Sequence, residues 1–171
     1  FDQLNAILQT LNAFFPRLAR VSLYANGSSI ATKCAEELQT LRALKLHTLY
    51  MGLESGDDAI LKRCRKGETA EQMVWAGIEA QAARLRMSVM VLLGLGGIDG
   101  SEDHVANTAE ALNQMQPRLL SALRVIPVPG TELHADAAAG RFQQLTEWQA
   151  VRELREVIAR LNLRNTVFRA N

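Results

Sequence analysis

Apolar residues recur at three- and four-residue spacing from the start of the chain. Leu4, Ile7, Leu8, Leu11, Phe14 and Phe15 share one face before Pro16 interrupts it. That period predicts an amphipathic helix ending at the proline. The pattern then changes to short, near-continuous apolar runs separated by helical segments. RVSLYA reads as a strand, NGSS as a turn, and a helix follows from about Thr32 to Lys45. HTLYMG is the next strand, and the stretch after it carries a short helix with a basic end. Thr69 and Gln72 form a T-x-x-Q capping box opening the helix AEQMVWAGIEAQAARL. MSVMVLLG reads as a buried strand with GLGGIDG as its exit loop, and Ser101 is expected to cap a helix running to about Met115. LLSALRVIPV is a further strand, ended by Pro127, Pro129 and Gly130. Thr146 and Gln149 repeat the T-x-x-Q box before EWQAVRELREVIARL, and NTVFRA is the last strand-like segment.

A helix followed by five strands with helices between them predicts an α/β fold. Near-continuously apolar strands of this kind are parallel and covered on the helix side. A chain that opens on a helix and closes on a strand fits a partial (β/α) barrel better than a closed domain, and in such barrels the chemistry gathers at the C-terminal ends of the strands. Tyr24, Asn26 and Gly27 follow the first strand, Glu54 and Ser55 the second, Gly94, Gly96 and Gly97 the third, and Pro127, Val128, Pro129 and Gly130 the fourth. In one parallel sheet these groups converge on one rim.

Glu54 is the sharpest of them, because an unpaired charge at the edge of a core is costly and demands a partner. Its carboxylate can accept from vicinal hydroxyls or an ammonium, with Ser55 adding a neutral donor or acceptor. Alternatively, Ser55 or Asp57 is an N-cap and Glu54 a first-turn residue of the short helix. Lys66 either pairs with a ligand carboxylate or is a solvent-facing cation at a helix end. Arg124 interrupts an apolar strand, pointing either into the barrel near a substrate or outward between helices. GLGGIDG is not a dinucleotide fingerprint, since its third glycine would fall at Asp99. Its glycines are expected to let backbone approach a ligand closely.

Composition narrows the field without choosing within it. The chain is 48% hydrophobic and 22% charged with a net charge of +1, and it has neither a basic stripe nor a block of like charge. Nothing in this balance calls for nucleic acid or a membrane surface, and MSVMVLLGLGG is too short to span a bilayer. The two cysteines, Cys34 and Cys64, are too few for a disulfide scaffold and suit a reducing, cytoplasmic location. They are expected to be ordinary, partly buried thiols. His47, His104 and His134 share no metal-ligand spacing and are expected at surface or capping positions. Asp57 and Asp58 read as acids at a helix start, and Trp75 and Trp148 as packing residues of amphipathic helices.

The ordered set VSLYANG, LYMGLESGDDAILKRCRKGETAEQM, VMVLLGLGG and RVIPVPGTEL resembles the C-terminal two thirds of a radical S-adenosylmethionine (SAM) core domain. The resemblance implies a partial six-stranded βα barrel. It also implies a four-iron four-sulfur cluster that cleaves SAM reductively, giving a 5'-deoxyadenosyl radical that takes hydrogen from a substrate. By position it implies that Glu54, at the end of the fourth barrel strand, contacts the SAM ribose or methionine amino group with Ser55 in support. Lys66 would take the methionyl carboxylate as a point charge, Tyr24 and Asn26 would offer polar contacts, and Leu92, Gly94 and Val128 would lie beside adenine. The family's CxxxCxxC cluster loop does not occur in this sequence, and Cys34 and Cys64 do not replace it. Residues 1–171 are therefore expected to be the C-terminal portion of a single core domain, unable to catalyse alone and exposing sheet edges that could pair artificially. Two alternatives remain open on the residues alone: a cluster-free βα-barrel lyase or isomerase with Glu54 as general base, and a non-catalytic SAM-binding module.

Overall fold

A computed structural model describes residues 1–170. The elements are α1 (Asp2–Phe14), β1 (Val21–Tyr24), α2 (Gly27–Ala31), α3 (Ala35–Ala43), β2 (Leu46–Glu54), α4 (Asp58–Arg63) and α5 (Ala70–Ala82). They continue with β3 (Arg86–Leu93), α6 (Ser101–Met115), β4 (Leu119–Arg124), α7 (Glu132–Ala138), α8 (Glu147–Arg160) and β5 (Val167–Ala170). The five strands form one sheet in the order β1-β2-β3-β4-β5. Every pair is parallel, so the C-terminal ends of all strands lie along one edge, as a partial barrel requires.

The two faces of the sheet differ. Leu49, Met51, Val89, Val91, Leu93, Leu120 and Ala122 point to the helices and form one core with Leu38, Leu41, Met73, Leu112 and Met115. Tyr50, Gly52, Met90, Leu92, Ser121 and Leu123 alternate with them and are only half-buried. This second face would be the interior of a closed barrel, and a ligand can reach it. Alternation along a strand is what separates the two sets.

Both T-x-x-Q segments form reciprocal capping boxes, Thr69 with Gln72 and Thr146 with Gln149. Elsewhere the structure corrects the expectations. NGSS is not a simple turn: Asn26 caps the short helix α2, accepting from Ser29 N–H at 3.1 Å. Gly100, not Ser101, is the N-cap of α6, because the Ser101 hydroxyl is bonded to Glu153 instead. β4 stops at Arg124, ahead of the prolines, and the segment beyond it holds α7. Trp75 and Trp148 are 58% and 82% exposed. Each lies on the outer face of its helix, so neither packs the core. Both cysteines are exposed as well, whereas His104 is completely buried. No helix among the described residues is long and apolar enough to cross a membrane.

Candidate functional site

Glu54 ends β2 at φ +62°, a backbone region that non-glycine residues seldom occupy. The Ser55 N–H bonds back to the Leu53 carbonyl at 2.7 Å, so the chain reverses tightly around Glu54. Pairing with β3 shifts register at the same point, between Gly52 and Glu54. A conformation of this kind costs on the order of 1–3 kcal/mol. It swings the Glu54 side chain back over Gly52: a β-carbon added to Gly52 would lie 1.9 Å from Glu54 Oε1 and 3.4 Å from Lys66 Nζ. Gly52 is thus the opening that lets an acidic side chain lie on the ligand-accessible face. Lys66 is its partner at 3.4 Å, with both side chains largely but not wholly buried. That distance is long for a charge-assisted bond, and it leaves the carboxylate able to accept more.

The three residues after Glu54 face the other way. Ser55 is fully buried, with its hydroxyl 2.8 Å from His104 Nδ1 and accepting from Asp57 N–H at 3.0 Å. The Gly56 N–H donates to Thr108 Oγ1 at 2.9 Å, and a β-carbon at Gly56 would lie 2.1 Å from the Asn107 carbonyl oxygen. Asp57 caps α4 through Ile60 N–H and accepts from Asn107 Nδ2 at 2.7 Å. The motif E-S-G-D is therefore one cleft-facing acid followed by three residues that lock onto α6. Of the capping alternatives, Asp57 is the cap, and Glu54 lies outside the helix. Ser55 is placed to hold the turn rather than to touch a ligand.

A second anchor holds the β3 exit. Glu153 of α8 is buried and accepts from Gly94 N–H at 2.6 Å, while its other oxygen meets the Ser101 hydroxyl. Burial pushes the Glu153 carboxyl upward, and those two hydrogen bonds partly counter it. Burial pushes His104 down to about 4, so the imidazole is neutral at pH 7. His104 Nε2 stands 3.8 Å from Glu153 Oε1. The glycines of the β3 exit loop approach their own backbone: a β-carbon at Gly96 would lie 2.5 Å from Gly100 O. Within the loop, then, Gly96 serves the close approach of the loop to itself.

Leu92 and Val128 line a partly open cavity of about 380 Å3 together with Leu95, Val125 and Ile126, the Arg63–Arg65 segment and the start of α7. Tyr24 is 77% exposed at the rim, with its ring 5.3 Å from that of Tyr50. Asn26 is occupied as a helix cap, and Glu68 takes the first amides of the same helix, Gly27 and Ser28. Arg124 is in register with Leu93, on the helix-covered face. It donates to Leu145 O at 3.0 Å and pairs with Glu147 at 3.6 Å. Of its two placements it takes the outward one. His104, Asn107, Thr108 and Glu153 were not legible as site residues, because the sequence does not show which residues 49 to 59 positions apart will meet; Gly52 was not, because its part depends on the positive φ of Glu54.

A family model described as the Radical SAM superfamily matches residues 2–112, and the chain belongs to that superfamily. Over 131 residues it is 26% identical to a probable threonylcarbamoyladenosine tRNA methylthiotransferase of Methanocaldococcus jannaschii, a match covering 75% of this chain and 30% of that protein. The chain thus spans about 30% of the length of this curated relative. Among solved structures it is similar to coproporphyrinogen III oxidase (HemN) from Escherichia coli, with a TM-score of 0.70 and 18% identity over 92% of this chain and 36% of that one. It is also similar to archaeal Elp3 of Methanocaldococcus infernus, with a TM-score of 0.67 and 18% identity over 90% of this chain and 35% of that one. At these identities the solved structures bear on the fold alone. The family match favours the radical SAM reading over a cluster-free lyase or isomerase.

Proposed function

We propose that the rim formed by the strand ends of this sheet binds SAM, as part of a radical SAM enzyme acting on a substrate that these residues do not identify. The observation that carries the reading is Glu54. It is a carboxylate held in a strained backbone at a strand exit, turned onto the accessible face by a glycine, with one long ion pair as its sole hydrogen-bonding partner among the described residues. Such a group suits vicinal ribose hydroxyls or the methionine ammonium, both of which donate. Lys66, next to it, suits the methionyl carboxylate. The apolar cavity bordered by Leu92 and Val128 suits a flat, weakly polar base such as adenine, and Tyr24 lies at the same edge of the sheet. Bound SAM would supply a sulfonium open to one-electron reduction. Glu54 and Lys66 would orient its polar ends, and the cavity would receive the base.

Members of the superfamily work with a four-iron four-sulfur cluster. Among the described residues no group of three or more His, Cys, Asp or Glu side chains could hold a metal ion. The present residues therefore fit SAM and not the cluster, and no step through the cluster is derived from them.

Glu54→Ala is expected to weaken SAM binding by about tenfold or more, the loss of hydrogen bonds to a charged acceptor, while the unfolding midpoint stays near that of the unaltered protein. Calorimetric titration with SAM checks this, and an unchanged dissociation constant in the variant would contradict the proposal.

A further inference from the structure

The β2 exit turn is held from outside by α6, and one of its anchors is an unusual core residue. His104 lies wholly buried in a helix whose other inward positions include Val105, Ala109, Leu112 and Met115. Nε2 faces Glu153 Oε1, an acceptor 3.8 Å away, whereas Nδ1 faces hydroxyls, Ser55 at 2.8 Å and Thr108 at 3.4 Å, so Nδ1 is assigned as the nitrogen that accepts from Ser55. That assignment places the imidazole's own proton on Nε2. Nε2 has no hydrogen bond of ordinary geometry; Glu153 Oε1 is 3.8 Å from it, and the Leu92 backbone lies close enough to favour a proton on the ring. A leucine would fill this space with no polar atom to satisfy. What leucine lacks is a hold on Ser55, the residue directly after Glu54. A non-glycine residue persists at φ +62° only where its surroundings over-determine it.

We propose that His104 is a positioning residue for Glu54: by accepting from Ser55 it keeps the strained turn closed and the Glu54 carboxylate folded over Gly52 on the accessible face. Its functional readout rests on the SAM reading above, whereas its structural readout does not.

Two replacements separate positioning from packing. His104→Leu removes the acceptor and fills the space, whereas His104→Asn returns an acceptor near the Nδ1 position and leaves a polar group in a partial hole. Thermal stability is expected to rank Leu above Asn, and SAM affinity is expected to rank them the other way. Calorimetry with SAM should show a loss of about tenfold in His104→Leu and of less than about threefold in His104→Asn. Because His104 acts through Glu54, His104→Leu/Glu54→Ala should bind no more weakly than Glu54→Ala alone. Nuclear magnetic resonance of the labelled full chain supplies the second readout. The backbone shifts and coupling of Glu54 should keep their left-handed signature in the unaltered protein and in His104→Asn, and lose it in His104→Leu. Affinities that follow the stability order, or a Glu54 backbone that stays left-handed in His104→Leu, overturn the proposal. If Glu54→Ala leaves SAM affinity unchanged, the SAM reading fails, and the backbone signature alone decides the positioning role.

Discussion

Glu54 and His104 show how one residue's environment sets its use. Glu54 was legible as unusual from its place after an apolar run, but its orientation was not, since orientation depends on a positive φ and on the missing side chain of Gly52. His104 gave no local signal at all: its hydrogen-bond partner is Ser55, 49 residues earlier, and Glu153 stands near it from another helix. Its burial has a consequence for acid stability. Desolvation dominates and holds the imidazole at about 4 against an ordinary 6.5, although the charge of Asp57 and a backbone hydrogen bond at Leu92 pull it upward. Between those values the unfolded chain takes up a proton that the folded chain refuses. Stability therefore falls as pH drops through that window, by about 3 kcal/mol in all. Glu153 runs oppositely, because its raised carboxyl makes its share of stability decline as pH climbs through that raised value. Urea unfolding at a series of pH values should show the decline below pH 6.5 in the unaltered protein and a flatter acid limb in His104→Leu. Parallel curves would refute it.

At the scale of elements, α6 is the template for the β2–α4 turn, through His104, Asn107 and Thr108. Gly56 lets the turn sit directly on the helix backbone. Gly56→Ala would drive a methyl group toward the Asn107 carbonyl, which belongs to a helix and cannot yield cheaply. It should destabilise the protein by about 2 kcal/mol or more, measured by denaturant titration, and a variant of unchanged stability would disprove the close contact. The strands and long helices were readable because each carries a repeated period or a capping box, as at Thr69 and Thr146. By contrast α7 was missed: it has seven residues and no fully buried position, and only Leu133 and Ala137 turn inward, too few to leave a period. Arg124 was ambiguous because a strand residue's face depends on register, and only the pairing with Leu93 decides it.

Over the whole molecule, order is concentrated where the sheet meets the helices. The large core joins β1 to β4 with α3, α5 and α6, while Ile60, Leu95, Val125 and Phe142 make a small second cluster at the strand exits, with Leu133 and Ala137 of α7 resting on it. Across that cluster α7 is tied to the end of α4 by an exposed Arg65–Glu132 bridge at 2.6 Å, a contact of the kind worth about 0–1 kcal/mol. Amide hydrogen exchange should therefore be about a hundredfold or more faster in α7 than in α5 and α6, and equal protection would show a stronger tether than these contacts provide. The order of the strands has a different consequence. Because spatial order repeats chain order from β1 to β5, each strand emerging from a ribosome finds its neighbour already made. The sheet can grow by addition at one edge, without waiting for a distant segment to be synthesised.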